Sequence, residues 1–94
     1  MNEVLVPVAN PLIVLREEFD DWAVLFNPEN GVAFALDPIS VFIWKRLDGK
    51  KKIDEIVAEL RASFEEVPPD AEEHCREFIG DLLKRGLAGY EKDT

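Results

Sequence analysis

The spacing of apolar residues changes at Asp37-Pro38, and that change limits what the chain can fold into. Before it, apolar residues fall in short β-rich runs at 12–19 (LIVLREEF), 22–26 (WAVLF) and 32–36 (VAFAL). In the last run Val32, Phe34 and Leu36 alternate with the small Ala33 and Ala35. Asp20-Asp21 separates the first two runs, and Asn27-Pro28-Glu29-Asn30-Gly31 the last two. Pro presets a turn there, and Asn30 or Gly31 can take the left-handed conformation. After Asp37 the spacing is helical. Asp37 suits an N-cap and Pro38 the first helical position. Ile39, Phe42, Ile43 and Leu47 form one stripe, with Trp44 beside it, and Asp48-Gly49 stops it. Ile53, Ile56, Val57, Leu60 and Phe64 form a second stripe, which Pro68-Pro69 ends. Ala71, Cys75, Phe78, Ile79, Leu82 and Leu83 form a third, which Gly86 ends. The expected fold is α+β: a three-stranded antiparallel β-meander followed by three helices, winged helix-turn-helix-like in outline.

Ninety-four residues make one small domain, expected over residues 11–88, with tails at 1–10 and 89–94. The single cysteine cannot form an internal disulfide, which fits a reducing cytoplasm. No apolar run has the length of a membrane span, and the start has neither the charge nor the unbroken apolar stretch of a signal peptide. The net charge of −9 argues against nucleic acid as a partner, because that affinity rests on Lys and Arg meeting phosphate. Residues 53–81 hold ten acids and two arginines, Arg61 and Arg76. A third helix pushed into a DNA groove would carry Glu72, Glu73, Glu77 and Asp81 toward phosphate.

Chemistry-bearing residues are few. His74 and Cys75 are neighbours on one helix and point apart; Cys75 falls on the core stripe and His74 reads as solvated. One Cys and one His fall short of a zinc site, and no Gly-rich phosphate loop or nucleophile–base pair is present. The expectation is a protein that is not an enzyme and uses no metal or cofactor. One basic cluster interrupts the acidic chain: Lys45, Arg46, Lys50, Lys51 and Lys52 around the end of the first helix. Lysines there favour the helix dipole, and Lys50, Lys51 and Lys52 could also meet an acidic partner.

Seven pieces stand in a set order: Leu15-Arg16-Glu17, Leu25-Phe26-Asn27-Pro28, Leu36, Phe42-Ile43-Trp44, Leu47-Asp48-Gly49, Ile53 with Ile56-Val57 and Leu60, and Phe78-Ile79 with Leu82-Leu83 and Gly86-Leu87. Through them residues 11–87 resemble the PqqD-like family, small domains that recognise leader segments of ribosomally made, post-translationally modified peptides. The family usually has Leu-Asn where this chain has Leu36-Asp37, and often Thr or Ser where it has Lys52.

The resemblance implies a non-catalytic module that hands a precursor peptide to a modifying enzyme, often a radical SAM enzyme. It implies a leader that adds as a strand along Val32, Ala33, Phe34, Ala35 and Leu36 and lies against the third helix. On that helix it puts Phe78 and Leu82 in the core and makes Ile79 and Leu83 candidates for the groove wall, with Arg76 on the same flank. Gly80, costly in mid-helix, fits a close backbone approach by the ligand or a tight contact inside the fold. The alternative function is a winged-helix regulator acting through DNA or a protein partner. Outside the resemblance, Val4, Leu5, Val6 and Val8 are too apolar for a free tail. They are expected to pack as an added strand on the domain, or on a second copy as a homodimer, or even in the leader groove; the alternative is a sticky tail ordered only with the enzyme partner.

Overall fold

Side-chain amides fold the longest hairpin turn: Asn27 Oδ1 accepts from the Glu29 amide, and Asn30 Oδ1 from the Val32 amide, each at 2.9 Å. Gly31 takes the left-handed conformation (φ 74°) that lets the chain reverse. The computed structural model describes residues 4–18 and 20–93. Three strands form the central sheet, β2 (Val14–Glu17), β3 (Ala23–Phe26) and β4 (Ala33–Leu36), all antiparallel in the order given. The sheet is shorter than the apolar runs. Phe19, the last residue of the first run, lies outside the described residues. Between β2 and β3, Asp20 and Asp21 both adopt positive φ, 57° and 63°, which a short polar side chain tolerates.

The two sheet faces differ. Leu25 and Leu36 point inward and are 1% exposed. Outward, Val14 and Arg16 of β2, Val24 and Phe26 of β3, and Ala33 of β4 line a shallow depression together with Glu18.

The helices are α1 (Pro38–Lys45), α2 (Ile53–Ser63) and α3 (Ala71–Lys84). Asp37 caps α1 as its sequence demands, accepting from the Ser40 amide at 2.8 Å, with Pro38 in the first turn. At the start of α2, Glu55 accepts from the Lys52 amide at 2.9 Å. This is half of a capping box; Lys52 has no oxygen with which to complete it. α3 ends in a Schellman motif. The Leu87 amide reaches the Leu82 carbonyl at 2.9 Å, the Gly86 amide reaches Leu83 at 3.2 Å, and Gly86 is left-handed at φ 74°. The core joins Leu25 and Leu36 to Ile43 and Trp44 of α1, Ile56 and Val57 of α2, and Cys75, Ile79 and Leu82 of α3. The described fold is α+β, as expected.

The C-terminal residues depart from the sequence reading, which sets 89–94 outside the domain as a tail, whereas the N-terminal run adds a strand to the domain, one of the packings expected of it. Residues 4–9 form β1 (Val4–Ala9), antiparallel to β5 (Ala88–Asp93) in a second, two-stranded sheet. The Ala9 amide donates to the Leu47 carbonyl and the Asn10 amide to Leu87, and Val6 is 2% exposed. The N-terminal run therefore packs on its own domain and pairs with β5, not with the edge of β4. β5 has no apolar alternation to announce it: Gly89 and three charged residues leave it little strand propensity, and pairing with β1 supplies what propensity does not.

Two substitutions test this account. Lys52→Thr supplies the missing capping oxygen and is expected to stabilise the protein by about 0.5–1 kcal/mol in urea denaturation. A Cβ at Gly80 would meet nothing within 4 Å. Gly80→Ala is therefore expected to stabilise by about 0.5–1 kcal/mol in the same measurement; a loss would reveal a hidden contact.

Candidate functional site

β4 is an edge strand, and its hydrogen-bonding phase follows from the hairpin. The Asn27 amide donates to the Val32 carbonyl at 2.9 Å, so pairing alternates inward from there through Leu25–Phe34 and Ala23–Leu36. The backbone groups of Val32, Phe34 and Leu36 thus turn toward β3. Those of Ala33 and Ala35 turn toward the open edge, and both residues are exposed. No charge, proline or bulge blunts this edge, the usual protections of an exposed strand.

The phase of α3 decides which residues flank that edge. Its buried row is Ala71, Cys75, Ile79 and Leu82, none more than 4% exposed. Steps of three and four residues put His74, Phe78, Asp81 and Arg85 in a line on one side of this row, and Arg76, Gly80 and Leu83 on the other. The first line faces β4. The Arg85 guanidinium lies 4.7 Å from the centre of the Phe34 ring and is held by Asp81 at 3.2 Å. His74 and Phe78 line a cavity of about 150 Å³ together with Asp37, Ile39 and Ser40 at the start of α1.

The expected α3 wall is therefore corrected. Ile79 is 0% exposed and belongs to the core, and Phe78 takes the half-buried place on the groove side. Arg76 pairs with Glu72 at 3.6 Å on the far flank, where Gly80 and Leu83 also lie. The six apolar residues of the third stripe span about 140° of the helix, and the two at its edges, Phe78 and Leu83, are the half-buried ones. Arg85 was missed because it stands beyond the stripe, at the helix end. Its one signal in the sequence is Asp81 four residues before it, the spacing of a helical ion pair.

The basic cluster is largely occupied. Lys45 bonds to Glu17 at 2.6 Å; Arg46 bonds to Glu59 at 3.2 Å and stacks on Phe42 at 3.4 Å. Lys51 pairs with Asp48 at 3.5 Å, while Lys50 and Lys52 are exposed. The Lys50 amide is the main influence holding the Asp48 carboxyl below its ordinary pKa. These lysines follow the C-terminal end of α1, about 12 Å along that helix from the end that adjoins β4.

The two remaining reactive side chains sit in different surroundings. Burial pushes the Cys75 thiol up to about 11, so the thiolate is scarce at neutral pH. His74 pairs with Asp70 at 3.0 Å on the surface. Among the described residues, no three His, Cys, Asp or Glu side chains are placed to hold a metal ion, and no helix is long and apolar enough to cross a membrane.

Comparison with known proteins follows this geometry. No curated protein matches the chain. One solved structure that does is TbiB1 in complex with the TbiA(beta) leader peptide, at 28% sequence identity and a TM-score of 0.70. The match covers 86% of this chain and 93% of TbiB1. The family model described as coenzyme PQQ synthesis protein D (PqqD) matches residues 23–88, from the first residue of β3 to the first of β5. The chain belongs to the PqqD family.

Proposed function

We propose that this protein is a non-catalytic recognition module that binds the leader of a ribosomally made precursor peptide and presents it to a modifying enzyme, a radical SAM enzyme or another class. The observation that carries the reading is the unpaired edge of β4, which offers the amides and carbonyls of Ala33 and Ala35 beside the Phe78–Arg85 side of α3. An extended peptide added there satisfies those groups and extends the sheet by one strand. Its alternate side chains face α3 and the cavity lined by Ile39, His74 and Phe78. That a protein of similar fold holds a leader peptide supports the choice of ligand. Lys50 and Lys52, away from this edge, are free to meet the enzyme that receives the peptide. The regulatory alternative fares poorly: α3 exposes Glu72, Glu73 and Glu77, which phosphate would repel.

The test replaces an outward-facing amide without touching the β3–β4 ladder. Ala35→Pro removes one donor from the open edge, a position where an edge strand tolerates proline. The probes are linear peptides selected by the wild-type protein from a random phage-displayed library. The variant is expected to keep its circular dichroism spectrum and bind these peptides about tenfold more weakly, the scale of one lost hydrogen bond at the strong end. Ala35→Lys, which keeps the amide but crowds the edge, is expected to weaken binding as well. Full affinity in both folded variants would remove the peptide from β4.

A further inference from the structure

We propose that Arg85 and Phe34 form a subsite that takes a carboxylate side chain of the added peptide and so fixes its register. This inference rests on strand addition at β4. Phe34 points to the helix side of the sheet, and Leu25, its partner on β3, is 1% exposed. The Arg85 side chain, whose guanidinium lies over the Phe34 ring, is 51% exposed and so within reach of a ligand. A peptide residue directly opposite Phe34 would occupy a non-hydrogen-bonded position, where facing side chains come closest. Its Cβ would lie about 4.5–5.5 Å from that of Phe34, on the same face as Arg85.

The chemistry of Arg85 selects the ligand. Among the described residues its Nε alone is engaged, by Asp81 at 3.2 Å. The two terminal amino groups keep their donors, in the planar fork that matches a carboxylate. The cation–π contact with Phe34 and the bond to Asp81 orient this fork before a ligand arrives. The surroundings sharpen the choice, because the chain carries twenty acids against eleven basic residues. A slip of two residues toward the end of β4 moves a peptide carboxylate from Arg85 to Leu36, beside the Asp37 carboxylate that caps α1. The acid is favoured at one register and opposed at the next, which is selection by repulsion as well as attraction.

The experiment repeats the phage selection with wild type and measures solution affinities of selected peptides against wild type, Arg85→Met, Arg85→Lys and Ala35→Pro. Wild type is expected to enrich Asp or Glu at one fixed position of the aligned peptides. Changing that acid to its amide is expected to weaken wild-type binding about fivefold, the scale of a partly exposed ion pair. Arg85→Met should bind the acidic peptide about as weakly and lose the distinction between acid and amide. Arg85→Lys should keep part of it, since the charge remains and the fork does not. No acidic enrichment, or an acid-to-amide ratio unchanged in Arg85→Met, would overturn the subsite. If Ala35→Pro still weakens binding in that case, strand addition stands and only the Arg85 proposal fails. If Ala35→Pro binds every peptide as wild type does, both fall.

Discussion

Everything that bears on recognition hangs on the joint between β4 and α1. Leu36 ends the strand in the core, and the very next residue, Asp37, caps the helix through the Ser40 amide. With Pro38 inside the first turn, the chain has no residues to spare for a loop that could fold back over the edge. Burial of Leu36 against the core holds the strand, the cap holds the helix, and the open amides of Ala33 and Ala35 follow from the two together. A more ordinary connection would bring a fourth strand or a covering loop and remove the feature that sets this domain apart.

The second constraint is the phase of α3. Its Schellman end fixes Gly86 and Leu87, ties the helix to β1 through the Asn10 amide and Leu87 carbonyl, and leaves Arg85 as the last residue before the turn. A buried row headed by small residues, Ala71 and Cys75, lets the helix lie close to the core and turns Phe78 and Arg85 toward the sheet edge. The pairing of β1 with β5 occupies the N-terminal strand, which therefore does not compete for β4.

Much of this was legible in the sequence where chemistry is local. The cap at Asp37, the left-handed Gly31 and the helix stop at Gly86 each follow from one residue's conformational preference, and β2–β4 with the three helices follow from periodicity. Legibility ended where partners distant in sequence decide. β5 exists because β1 pairs with it. Ile79 and Phe78 are adjacent apolar residues, and only the packing of α3 against α2 and the sheet tells which is buried. Arg85 acquires its role from Phe34, fifty-one positions earlier, a relation that no spacing along one helix can reveal. The Ala33 and Ala35 edge was legible in part: the missing charges mark it as unprotected, while the direction of its amides required the register of the hairpin.

The most direct test of strand addition is amide hydrogen exchange, residue by residue along β4. In the free protein the amides of Ala33 and Ala35 face no partner strand and should exchange fast, while Phe34, bonded to β3, is protected. With a selected peptide bound, Ala33 and Ala35 should become protected together and Phe34 should change little. Protection that leaves both alanines fast and appears instead along β5, or on the Arg76–Leu83 flank of α3, would contradict the account.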